Sequence, residues 1–263
     1  MTQVGRPHDD LKKGIKMRKS ILGLSAVLLT TLATPAFAQE EDSGLKITGS
    51  VGLVSDYRFR GFSQSSEDPA IQGGITATTD SGLYASVWAS SISFAGKTEM
   101  DLVAGYSKEL IPGVTFDGGV LYYLYPKHSY DSTANTDFFE PYVNLSTTFG
   151  PVSAKIGANY AWKQSALIDA NGDKADSIYV HTEWSAGIPD TPLGLNAHAG
   201  YAKSDAFPGG PDGEVFDYSV GATATYKMLT FGVSYVNTDV KKSLGKEALG
   251  ADGGVVFSLG AAF

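Results

Sequence analysis

The 263-residue sequence sets 20 lysines and arginines against 28 aspartates and glutamates, a net charge of −8, and holds 31 glycines, 14 tyrosines and no cysteine. So acidic a chain lacks the clustered cations that nucleic-acid binding needs, and without cysteine neither disulfides nor thiolate metal centres can hold it together. No segment after the N-terminal leader approaches the run of about 18 apolar residues that a membrane-spanning helix requires, which excludes a helical membrane protein.

The chain begins on a leader. From Met17, "MRKSILGLSAVLLTTLATPAFAQ" sets Arg18 and Lys19 before an apolar run from Ile21 to Ala33 and ends on Ala36-Phe37-Ala38 before Gln39, the layout of a secretory signal peptide. A start at Met17 and cleavage after Ala38 are expected, with residues 1–38 as leader and 39–263 as one domain; residues 1–16 show no structural logic. The leader carries six Lys/Arg and two Asp/Glu, so its removal leaves the mature chain at −12.

Alternation read against turn signals predicts twelve strands, at about 45–57, 70–79, 83–90, 98–109, 114–125, 137–149, 152–163, 176–188, 193–203, 216–227, 229–238 and 253–263. Each has roughly the nine to eleven residues with which a tilted strand crosses a bilayer. In "PVSAKIGANYAWK" the row Val152, Ala154, Ile156, Ala158, Tyr160 and Trp162 alternates with Ser153, Lys155, Gly157, Asn159, Ala161 and Lys163, and that second row does not suit an apolar core.

The connections after even-numbered strands are tight, for example "DSG" at Asp80 and "GP" at Gly150, whereas those after odd-numbered strands are long and polar, from "GFSQSSEDP" to "DVKKSLGKEALGAD". Membrane barrels sort their connections this way, with short periplasmic turns and longer external loops. The expected fold is therefore all-β: a twelve-stranded antiparallel transmembrane β-barrel, an up-and-down meander with both termini in the periplasm, in the outer membrane of a Gram-negative bacterium. Outward aromatics fall into two girdles. Phe139, Tyr160, Trp162, Tyr201, Tyr218 and Tyr235 lie near one rim, and Tyr106, Phe116, Phe149, Trp184, Tyr226, Phe231 and Phe263 near the other. The last strand, "GGVVFSLGAAF", closes the cylinder against the first, and its terminal Phe263 resembles the signal read by the outer-membrane barrel assembly machinery.

Inside, the densest charge pattern is "SDYRFRGFSQS", where Asp56, Arg58 and Arg60 share the inward face of the first strand. Two roles are open to the arginines: bracing the lumen against the inward carboxylates Glu99, Asp101 and Asp117, or contacting anionic solutes through their donor forks. Further inward polar residues are Glu140, Asn144, Lys155, Asn159, Lys163, His181, Glu183, Asn196 and His198. A wall carrying both charge signs suits a water-filled or partly plugged channel, and twelve strands lie between the filled eight-stranded and the open sixteen-stranded barrels.

Chemistry is not expected. His181 and Glu183 share a face but have no identifiable third ligand or nucleophile, and "DANGDKAD" has Lys174 and Val180 where a calcium loop needs glycine and glutamate, so it reads as an Asn-Gly turn. An outer-membrane phospholipase would need a histidine facing lipid, whereas His181 and His198 point inward and His128 falls in a loop. Asp205, Asp212 and Glu214 read as a solvated loop suited to bridging through divalent cations to lipopolysaccharide.

The stretch Gly49 to Ser90, with "SDYRFRG" at Ser55–Gly61, "SQS" at Ser63–Ser65, "DPAIQGG" at Asp68–Gly74 and "SGLYASVWAS" at Ser81–Ser90, resembles the opening of the TorF family of porins, a proteobacterial group also described as a domain of unknown function (Gcw_chp). "EPYVNLS" from Glu140 and the spaced Gly/Tyr strands extend the likeness over the mature chain. The resemblance implies an outer-membrane barrel of porin architecture and brings no substrate and no catalytic residues. Passive diffusion of small hydrophilic solutes is the expected function, without cofactor; the alternative is a structural or adhesive barrel with an occluded lumen.

Overall fold

The computed structural model describes residues 44–126 and 136–263; the expected signal peptide with its cleavage site, and His128, lie outside them. The strands are β1 (Leu45–Val54), β2 (Arg58–Phe59), β3 (Phe62–Ser63), β4 (Ala70–Thr79), β5 (Leu83–Ser91), β6 (Thr98–Ile111), β7 (Val114–Leu124), β8 (Phe138–Phe149), β9 (Val152–Ala161), β10 (Ser177–Gly187), β11 (Leu193–Ser204), β12 (Glu214–Tyr226), β13 (Leu229–Thr238) and β14 (Gly254–Ala262). All but β2 and β3 form one closed antiparallel barrel of twelve strands, each paired with its neighbours in sequence, and β2 and β3 make a separate two-stranded hairpin.

Closure occurs between β14 and β1, in register from Ser50↔Ala262 to Val54↔Ser258. Gly49 and Phe263 exchange both backbone hydrogen bonds, at 2.7 and 2.9 Å, and so extend the seam to the last residue. The Phe263 ring lies over Gly49, where a Cβ would come within 2.7 Å of it. Among the described residues no edge of the twelve-stranded barrel is left unpaired, which is the condition for a sheet to survive in hydrocarbon.

The outward rows carry Ile47, Leu53, Ile71, Ile75, Ile156, Leu195, Val220 and Val255, all exposed. A continuous aliphatic belt of this kind has no place against water and calls for lipid around the cylinder. Phe139 and Trp162 stack at one end of the belt, with centroids 6.2 Å apart, while Phe149, Trp184, Tyr226 and Phe231 stand exposed toward the other.

Tight turns occupy one end and longer loops the other. In the turn between β4 and β5, Gly82 has φ 97°, and a Cβ there would sit 2.2 Å from the Ser107 carbonyl oxygen, so this corner admits only glycine. The two ends are called the turn side and the loop side below.

Two expectations need correction. The first strand, expected to reach residue 57 with its inward row running on through Arg60, ends at Val54, and the chain then bends inward into the β2–β3 hairpin. A hairpin arm is itself extended, so it carries the same period of two as a barrel strand and continues the alternation without a break. The seventh barrel strand, expected to reach Lys163, ends at Ala161, and Lys163 is exposed in the following loop. Beyond Ala161 the Gln164 side chain takes over the pairing with Phe139, accepting from its N–H at 2.9 Å and donating to its carbonyl at 2.8 Å.

Candidate functional site: the barrel interior

The hairpin turns at Arg60 and Gly61, with φ of 49° and 86°. Two positive values in a two-residue loop match the twist of its arms, but the left-handed conformation costs a non-glycine residue about 1–2 kcal/mol. Contacts of the Arg60 side chain offset that cost. Its Nη2 donates to both Glu140 carboxylate oxygens, at 2.8 and 2.7 Å, and its guanidinium lies 4.1 Å from the centre of the Tyr179 ring and 4.7 Å from that of Phe59. Burial, the largest influence, lowers the pKa of this guanidinium, but Glu140 together with the Tyr123 and Tyr179 phenols outweighs it and holds the group above its ordinary value. Gly61 fits the tip against the wall, since a Cβ there would stand 2.3 Å from Thr238 Cγ2 and 3.1 Å from Asp217 Cβ.

Arg58 ties the base of the hairpin to the loop before β14. It pairs with Asp56 and donates to the carbonyls of Gly61, Gly250 and Asp252 at 3.2, 3.0 and 2.9 Å. Asp56 also accepts from the hydroxyls of Ser63 and Ser65, at 2.6 and 3.1 Å. Tyr57 reaches the wall, donating to Glu99 at 2.7 Å, and burial foremost, with the Glu99 charge behind it, raises its phenol well above the usual range. Phe62 packs with Val215, Val240 and Ala251, and Phe59 meets Tyr123 edge-on at 5.8 Å.

The wall beneath the hairpin is polar and buried. Glu140, on β8, is only 1% exposed and also accepts from Asn159 at 3.0 Å and Tyr123 at 3.2 Å. Asp117, on β7, accepts from Tyr84 at 2.7 Å and Asn144 at 3.2 Å. Glu99 and Asp101 stand two apart on β6, both buried, and Asp101 Oδ1 has no hydrogen-bond partner. Toward the turn side the wall opens. Lys155 on β9 pairs with Glu183 on β10 at 2.7 Å, His181 on β10 lies beside them, and His198 on β11 meets Asp217 on β12 at 2.8 Å. Thr48, Thr76, Ser146 and Thr223 continue the inward rows and are partly exposed.

Residues 38–263 match the family model described as "Bacterial protein of unknown function (Gcw_chp)". The chain belongs to this family. No curated protein sequence matches this Gcw_chp chain. Among solved structures its barrel is similar to the NanC porin, with a TM-score of 0.56 at 14% identity over 82% of this chain and 98% of that one. It is also similar to a KdgM porin complexed with disordered oligogalacturonate, with a TM-score of 0.51 at 10% identity over 82% of this chain and 97% of that one. At such identities the likeness is one of fold, and with the lipid-facing belt it makes the Gcw_chp chain an outer-membrane barrel of porin architecture.

The structure distributes the twelve residues expected inside over four settings. Glu99, Asp101 and Glu140 stand on the loop-side wall, while Asp117, Lys155, His181, Glu183 and His198 stand nearer the middle and turn side. Asp56, Arg58 and Arg60 lie within the lumen on the hairpin and its approach, and Lys163 lies in the loop between β9 and β10. The arginines do not meet Glu99, Asp101 or Asp117 as expected: Arg60 takes Glu140, and Arg58 takes Asp56. Sequence reading also passed over Asp217 and the inward phenols Tyr57, Tyr84, Tyr123, Tyr142 and Tyr179. The signal was present in "SIYVHTEW", where Tyr179 shares a face with His181 and Glu183, but tyrosine in a membrane barrel suggests the rim first.

Proposed function

We propose that the barrel is a porin-like channel through which ions and small hydrophilic solutes diffuse passively, with no chemical step, and that the β2–β3 hairpin forms its constriction. The observation that supports this reading is the inward surface: a closed cylinder with aliphatic residues outward and charged or hydroxyl residues along its inner rows suits a path for water. The long loops face the exterior and both termini the periplasm. Phe263 engages the assembly machinery, and the acidic loops meet lipopolysaccharide through divalent cations. Because Arg58 and Arg60 are each tied to a carboxylate, they brace the constriction; the inward ionisable side chains within reach of solutes include Lys46, Lys155, Glu183 and His198.

A sealed, structural or adhesive barrel is the competing reading, favoured by the near-complete burial of Glu140 and Asp217 beneath the hairpin. Single-channel recording in planar bilayers separates the two. The channel reading expects step currents from the folded mature chain, larger when Arg60→Ala loosens the hairpin. Folded protein that gives no steps, with or without the substitution, leaves the sealed barrel.

A further inference from the structure

We propose that His181, Glu183 and His198 form a binding site for a divalent transition-metal ion, best matched to Zn2+, on the inner wall of the barrel. Two imidazoles and one carboxylate are a ligand set that suits zinc and leaves a position for water. Here they converge from adjacent strands. Glu183 and His198 are direct partners across β10 and β11, and His181 stands two residues before Glu183 on the same inward row. One ligand atom from each of the three lies within 4.8 Å of the others, so small side-chain rotations close the site.

A second observation comes from His181 itself. The residue is 4% exposed, and its Nδ1 lies 3.4 Å from Glu183 Oε1 yet makes no hydrogen bond. A buried ring nitrogen without a partner is uncommon in a folded protein, and a cation between it and the carboxylate would satisfy both. The ring has this room because Gly157 lies opposite, where a Cβ would come within 2.4 Å of His181 Nε2. Behind His198, Asp217 Oδ1 at 2.8 Å and the Tyr179 hydroxyl at 2.9 Å hold the imidazole in place, the kind of support that metal-bound histidines receive. Glu183 and His198 are about a quarter exposed, so an ion can reach the site from water in the turn-side half of the lumen. Lys155 opposes binding: its ammonium, 2.7 Å from Glu183 Oε2, competes for the carboxylate.

The test is calorimetric titration of the untagged mature chain, folded in detergent micelles, with Zn2+ near pH 7; it reads binding directly and stands or fails apart from conduction. The expected result is one ion per barrel, with affinity reduced more than about tenfold by His181→Ala or by His198→Gln, the latter altering a partly exposed ring that the fold tolerates. His128→Ala leaves binding unchanged, and Lys155→Gln tightens it. On the unaltered chain, Co2+ gives the visible absorption of a low-coordinate nitrogen–oxygen site. Absence of saturable binding up to about 1 mM Zn2+, or an affinity that survives both His181→Ala and His198→Gln, as an ion held only by the acidic loops would show, overturns the proposal.

Discussion

On β12, Asp217 and Ser219 face the lumen and are buried, whereas Thr223, on the same row a little further along, is partly exposed. On β8, Glu140 and Asn144 are buried, and Ser146, next on their row, is not. The two halves of the lumen are built by the same strands with the same inward polarity, so the wall does not account for the difference. What differs along these two strands is the hairpin of residues 58–63, which packs against their loop-side halves at Glu140 and Asp217; elsewhere on the turn side Tyr84, Ser86, Asp117 and Thr230 are buried too. On the proposed channel reading one loop sets the bore of the barrel, and the hydrogen bonds that the loop and the inward phenols bring offset much of the cost of a buried charged wall.

The largest effect should follow from removing that loop. Replacing residues 57–64 by a short Gly-Ser link is expected to raise single-channel conductance several-fold in planar bilayers, because a twelve-stranded lumen without a plug lies between the filled and the open barrels. An unchanged conductance would place the constriction elsewhere.

Unpairing the hairpin without removing it comes next. Glu140→Gln leaves Arg60 buried without its carboxylate and is expected to cost about 3 kcal/mol in denaturant unfolding from micelles. Adding Arg60→Met should recover much of that loss, since the orphaned charge then disappears too. On the turn side the same kind of change is small: Lys155→Gln, in a pair where both side chains reach water, is expected to cost about 1 kcal/mol. Its clearer signature is a reversal potential shifted toward cations in a salt gradient.

Outside the lumen the effect is smallest and depends on pH. Asp169 accepts backbone N–H bonds from Asp173 and Asn171, both at 2.8 Å, and these bonds, Asp173 first, hold its carboxyl below the usual value. A lowered folded pKa stabilises the loop above the unfolded value of about 3.9, and that contribution is lost as pH falls through the folded pKa. Proteolytic nicking of residues 162–176 should therefore rise at low pH, and Asp169→Asn should remove the dependence.

The comparison of the two halves also shows what could be read from the residues alone. Strict alternation and the sorting of short and long connections carried the twelve strands, their closure through "VVFSLGAAF" and the inward rows, because a lipid-facing belt forces the period of two to persist along each strand. The hairpin escaped notice because Asp56, Arg58 and Arg60 keep that period after the chain has left the wall, and because its turn is an Arg-Gly step without the usual Asn or Asp signal. The partnership of His198 with His181 and Glu183 was likewise hidden. It depends on the register between β10 and β11, which alternation places on the correct face but does not align.

The chain contains no cysteine, so single cysteines report the two halves without background. Ser219→Cys and Thr223→Cys lie on one strand and one face, about 13 Å apart. With the protein folded in micelles and treated with a water-soluble maleimide, Thr223→Cys should react readily and Ser219→Cys only once residues 57–64 are replaced. Equal labelling of both positions in the intact barrel would contradict a lumen divided by the hairpin.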